Sequence, residues 1–200
     1  MSPRNEEQNA AIKDERRDQI LSAALRVFAK RGFAATKISD IVAKAGMSHG
    51  LVYHYFKSKE EIFLELLKMA MEASSQSLLM MERMPISPIE KVRQTANYIL
   101  GGIENFEESA YYFLIVTHAS VMEGAGEESE ELLKVSNVPL ESLSRILKAG
   151  QEAGEVREGD PLSMAMVFFA AIQGLAIYKL AMEDFHMPDP EILVGMIIKK

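Results

Sequence analysis

Apolar residues recur along this chain at intervals of three and four, and strict alternation is missing, so the pattern predicts helices and no sheet. The first amphipathic run, from about Asp14 to Lys30, lines up Ile20, Leu21, Ala24, Leu25 and Phe28 on one stripe. Gly32 follows as a left-handed stop, with Phe33 able to fold back on the helix end. Thr36 stands where it can N-cap a short second helix whose inner face is Ile38, Ile41, Val42 and Ala45, and Gly46 breaks that helix. Ser48 caps a third helix running to about Phe56, and Ser58 with Glu61 forms a capping box for a long fourth.

Beyond it, "PISPIE" reads as a break and a restart, with Ser87 as cap, Pro88 at the first helical position and Glu90 completing the box. Further helices are predicted over roughly Glu90–Phe106 and Ser109–Met122. A broken one runs from Glu130 to Ala153, interrupted by Pro139 and stopped by Gly154. Asp160-Pro161 and Asp189-Pro190 are cap-plus-proline starts for two final helices. The chain is therefore expected to be all-α.

Composition narrows the class. The 200 residues are 48% hydrophobic, enough for one or two domains with a sizeable core, and the lack of cysteine excludes disulfides, thiolate nucleophiles and Cys-ligated zinc. The first residues contain no apolar signal core. "MAMVFFAAIQGLAIY", residues 164–178, is interrupted by Gln173 and is shorter than the roughly 18 residues of a membrane span, so a buried helix in a cytosolic protein is expected, with no membrane partner. The net charge of −7 is divided unevenly: residues 1–60 hold 11 Lys and Arg against 7 Asp and Glu. A basic end on an acidic body points to a polyanionic partner for that end.

Two short helices joined by a tight turn at Gly46 match the helix-turn-helix pattern, whose second helix enters the major groove of DNA. On a helical wheel Val52, Tyr55 and Phe56 fall on one side, where they can lock the third helix to Ile41 and Ala45. Gly50, Leu51, Tyr53 and His54 fall on the other. A glycine inside a helix costs about 1 kcal/mol relative to alanine. Gly50 is explained if the backbone there must approach a duplex closely. Tyr53, Tyr55, Thr36 and Ser48 offer hydroxyls for phosphate, and Lys59 a charge; both tyrosines are also readable as packing aromatics. His49 and His54, five residues apart, sit on different faces and do not suit a metal, and no cofactor motif is present.

The stretch "TKISDIVAKAGMSHGLVYHYFKSKEEIF" closely resembles the TetR family signature, and the preceding "ILSAALRVFAKRGFAAT" is similar to that family's first helix. The resemblance is strong over residues 14–74. It implies a helix-turn-helix DNA-binding domain there, an arm at 1–13, and a helical ligand-binding and dimerisation domain at 75–200. The DNA contacts it implies are Thr36, Ser48, His49, Gly50, Leu51, Tyr53, His54, Tyr55 and Lys59. One departure matters: the groove-facing side of the third helix lacks Arg, Lys, Asn and Gln, the side chains of bidentate base contacts, so DNA shape is expected to carry more of the specificity.

For the body, thirteen methionines suit an adaptable apolar site. Candidate ligand residues are Tyr98, Tyr111, Ile115, His118, Met122 and Gln173, all equally readable as ordinary core. The small residues Ala165, Ala170, Ala171, Gly174 and Ala181 allow close helix approach in the penultimate helix, where the resemblance implies a homodimer. The expected function is a dimeric regulator, most simply a repressor, that binds a palindromic double-stranded operator and is released by an apolar small-molecule effector. The alternative is a DNA-binding protein of the same fold controlled by a protein partner.

Overall fold

The structure, a computed structural model, describes residues 3–121 and 137–199. Among these residues the elements are α1 (Pro3–Ala35), α2 (Ile38–Ala45), α3 (His49–Tyr55), α4 (Lys59–Arg83), α5 (Pro88–Asn105), α6 (Glu107–Val121), α7 (Val138–Glu152), α8 (Pro161–Ala181) and α9 (Glu191–Gly195). The all-α expectation holds. Met122 and the first part of the helix expected from Glu130 lie outside the described residues.

Several boundaries depart from the pattern for physical reasons. The α1 backbone is helical from Pro3, ahead of the Asp14 start that the apolar stripe marked. Residues 4–17 are rich in good helix formers but poor in apolar residues, so hydrophobic periodicity does not register them. Gly32, at φ 75°, kinks the far end. Lys37, not Thr36, is the N-cap of α2, its N–H donating to the Asp40 carboxylate at 2.9 Å. Ser87 makes no side-chain cap bond to α5. The Ile89 N–H donates instead to Glu155 Oε2 at 3.0 Å, a cap supplied from the far side of the fold. The Ser48, Ser58 and Asp160 caps are present as expected.

Two hydrophobic clusters organise the packing. One gathers α1 to the first half of α4 around Phe28, Phe33, Ile41, Val52, Phe56 and Phe63. The other gathers the end of α4 with α5, α7, α8 and α9. Helix α6 serves both: Tyr111, Ile115 and Ala119 belong to the first cluster and Ala110 to the second. After α7 the chain turns and pairs with its own end, Val156 bridging antiparallel to Ile198. Gln151 holds this turn, donating to the carbonyls of Arg157 and Gly159 at 3.0 and 2.8 Å.

By length and composition α8 is apolar enough to cross a bilayer, but one such helix is weak evidence for a span, since a core helix passes the same test. One face of it is core, with Met164, Ala165, Phe168, Ile172 and Ala176 buried. The opposite face leaves Leu162, Met166, Val167, Ala170, Ile177 and Tyr178 exposed. Ala165 therefore lies inside the chain's own core, while Ala170 and Ala181 are exposed and Ala171 and Gly174 are half-buried.

Candidate nucleic-acid interface

Helix α3 is held from one side. The turn before it closes through Gly46, at φ 65°, whose N–H and that of Met47 donate to the last carbonyls of α2. Ser48 Oγ then accepts from Leu51 N at 3.2 Å. Val52 and Phe56 are buried, the Arg17 guanidinium lies 5.3 Å over the Phe56 ring, and Tyr55 is half-buried against the same cluster.

The other side is open. His49, Gly50, Tyr53 and His54 are exposed, Tyr53 at 51%, and Leu51 is half-buried beside them. The His54 imidazole stands edge-on to the Tyr55 ring at 5.3 Å. A Cβ built on Gly50 would meet no atom within 4 Å. Packing inside the chain supplies no reason for glycine at this position. Ser48 is exposed at the start of the same face.

Thr36 and Lys59 are placed differently from the other seven residues of the expected DNA surface. Thr36 is only 1% exposed and its hydroxyl donates to the Gly32 carbonyl at 2.7 Å. Lys59 Nζ donates to the carbonyls of Phe33 and Thr36 at 2.9 and 2.8 Å and lies 4.4 Å over the Phe33 ring. Lys37, Lys44 and Lys57, which the sequence reading passed over, are exposed around α2 and directly after α3. Their signal was simply their position flanking the two short helices. Asp40 offsets them in part: the Lys37 backbone N–H, with help from Arg31 at 2.9 Å, holds its carboxyl below the usual carboxylate range.

The head is tied to the body at the start of α6. Ser22 Oγ donates to Glu108 Oε1 at 2.8 Å, and Arg26 pairs with Glu108 at 3.1 Å and with Glu107 at 3.4 Å. No local pattern announces this joint, because its partners stand more than 80 residues apart in sequence.

Among the described residues, the expected ligand residues are not gathered into one cavity. Tyr98 is 70% exposed on the outside of α5. Tyr111 and Ile115 are buried in the head cluster; the Tyr111 hydroxyl has no hydrogen-bond partner, and burial, reinforced by the nearby Glu107 carboxylate, pushes its pKa up to about 12. Gln173 Nε2 donates to Thr117 Oγ1, which joins α8 to α6 beside the half-buried His118. Burial holds the His118 pKa below its ordinary value. A hollow of ≈ 250 Å³ opens elsewhere, between the start of α8 and α9, lined by Asp160, Met164, Phe168, Leu193 and Met196 among others.

The family model described as bacterial regulatory proteins, tetR family, matches residues 20–66. The fatty acid metabolism regulator protein of Bacillus subtilis (strain 168) is 30% identical over 154 residues, which are 75% of this chain and 76% of that protein. The HTH-type transcriptional repressor NicS of Pseudomonas putida is 26% identical over 160 residues, 80% of this chain and 74% of that one. Among solved structures, the MbdR regulator from Azoarcus sp. CIB shares the fold with a TM-score of 0.77 at 23% identity, covering 90% of this chain and 95% of the other.

Proposed function

We infer that this chain, which belongs to the tetR family of bacterial regulatory proteins, is a dimeric repressor that reads a palindromic operator with α3 and is released by a small apolar effector. As a member of that family it is a transcription regulator and not an enzyme. Regulators of this family bind operators, act as dimers and bind small-molecule effectors.

The observation that carries the reading is the open face of α3. Ser48, His49, Gly50, Leu51, Tyr53 and His54 present hydroxyls, imidazoles and an unobstructed backbone on a helix anchored from behind by Val52 and Phe56, with Tyr55 half-buried against the same cluster. Lys37, Lys44 and Lys57 add charge for phosphates around it. Residues 14–74 form the reading head in this proposal, and 75–200 the effector and dimer body. Helix α6 links the two through its membership of both clusters. The exposed apolar face of α8, with Ile192 and Met196 of α9 exposed as well, supports pairing with a second copy, since a patch of this kind on a lone soluble chain marks an interaction site. Gln173, which donates to Thr117 at the α6–α8 contact, and His118, next to Thr117 in sequence and half-buried, are the polar groups we assign to the effector.

A second reading, control by a docking protein, draws on the strongly exposed Tyr98 and Phe106 of the body. Footprinting the DNA beside the protein's own gene tests the first reading, with a protected site of two-fold symmetry expected; protection of no site, or of one without that symmetry, overturns it. Thermal-shift screening with apolar metabolites separates the two: a compound that raises the melting point and releases DNA supports the effector, and release only by a purified protein supports the partner.

A further inference from the structure

We propose that Lys59 and Thr36, which the family resemblance assigns to DNA phosphate, are positioning residues that set the α2–α3 pair on the end of α1. The proposal rests on the reading of α3 as the groove-facing helix. Gly32 takes the chain out of helical geometry near the end of α1, so the carbonyls there rely on donors other than the regular helical ladder. Those carbonyls are satisfied from two sources only a few residues apart in space. Gly32 O accepts the Thr36 hydroxyl at 2.7 Å, and Phe33 O accepts the Thr36 N–H at 3.2 Å and Lys59 Nζ at 2.9 Å. The Thr36 carbonyl accepts a second Lys59 donor at 2.8 Å. A cation is favoured at a helix C-terminus, where the partial charge is negative.

The clamp also spans elements. Lys59 is the first residue of α4, and its ammonium sits 4.4 Å over Phe33, whose ring packs on Phe28 at 5.9 Å and on Phe63 at 4.9 Å. It therefore fixes the start of α4 against the end of α1. An ammonium has three N–H donors, and two of these are engaged inside the protein. Thr36 is buried and its hydroxyl proton is engaged. Thr36 would have to leave the Gly32 carbonyl without its partner before its hydroxyl could donate to a phosphate, and Lys59 has only the one N–H that its two internal bonds leave. Because α2 starts at Ile38, the direction in which the chain leaves Thr36 sets α2 and, through the Gly46 turn, the attitude of α3.

The test is operator and non-specific DNA binding by the full-length protein over a salt series, for Lys59→Met, Lys59→Arg, Thr36→Val and Gly50→Leu. Lys59→Met keeps the apolar stem over Phe33 and removes charge and donors. A positioning role gives operator binding weakened about tenfold at every salt concentration, non-specific binding changed less, an unaltered salt slope, and recovery in Lys59→Arg. A phosphate role gives a slope lower by about one per head and equal losses on both DNAs, and overturns the proposal. Should Lys59→Met fail to fold, Thr36→Val decides alone: loss of operator preference supports the clamp, and equal loss on both DNAs overturns it. Gly50→Leu binding as tightly as wild type would defeat the reading of α3 and the clamp with it. Gly50→Leu weakened alongside a lowered Lys59→Met slope defeats only the clamp.

Discussion

Leucine in place of Gly50 separates folding from DNA docking more cleanly than any other change in this chain. In the free protein a Cβ at position 50 meets nothing within 4 Å, so neither alanine nor leucine collides with the head. Gly50→Ala should stabilise α3 by roughly 0.5–1 kcal/mol, since glycine in a helix loses more conformational freedom than alanine. Docking is another matter. If the added side chain holds the backbone off the duplex and each head loses two hydrogen bonds of about 1 kcal/mol, a dimer loses about 4 kcal/mol, close to a thousandfold in affinity. Alanine, shorter by three carbons, should cost on the order of tenfold. Thermal melts paired with fluorescence titration of the operator give both quantities on the same samples. A Gly50→Leu protein that melts like wild type and binds as tightly would refute the assignment of α3.

Gly150 presents the opposite case: its Cβ would fall 2.4 Å from Val156 Cγ2 and 3.2 Å from Pro88 Cβ, against a β-branched side chain whose backbone is pinned to Gly150 O. Gly150→Ala should destabilise the fold by about 1–3 kcal/mol, and an unchanged melting curve would contradict this. Ile177→Glu puts a charge on the exposed face of α8 and should shift the protein toward monomer in sedimentation; a wild-type protein already monomeric at micromolar concentration would remove the basis for this expectation. Burial holds the His118 pKa below its ordinary value of about 6.5, so the folded chain keeps the neutral ring while the unfolded chain takes up the proton. The neutral ring's contribution to stability is fully present above that value and declines as pH falls below it. Denaturant titrations across this range should show a shallower acid-side loss for His118→Gln than for wild type, and parallel curves would show that the ring does not contribute.

The helix grammar of this chain could be read from its sequence because its causes are local. Gly32 and Gly46 take positive φ, and Ser48, Ser58 and Asp160 accept N–H groups three residues ahead. Each of those bonds closes within one turn, so residue type and spacing were enough. The burial of Val52 and Phe56 behind an open Gly50 followed from the same short periodicity. Only the tertiary structure decided that Thr36 turns inward to Gly32, that Lys59 reaches back to Phe33 and Thr36, and that Glu155 caps α5. It also decided that Tyr111 joins the head cluster while Tyr98 faces outward, and that Ala165 is core while Ala170 is exposed. Helix α8 is apolar over most of its circumference, so its sequence carries little signal of which face turns inward. A carbonyl or carboxylate at a contact between helices takes whichever donor the folded chain brings within reach, and for Ser22 and Glu108 that donor and acceptor are 86 residues apart.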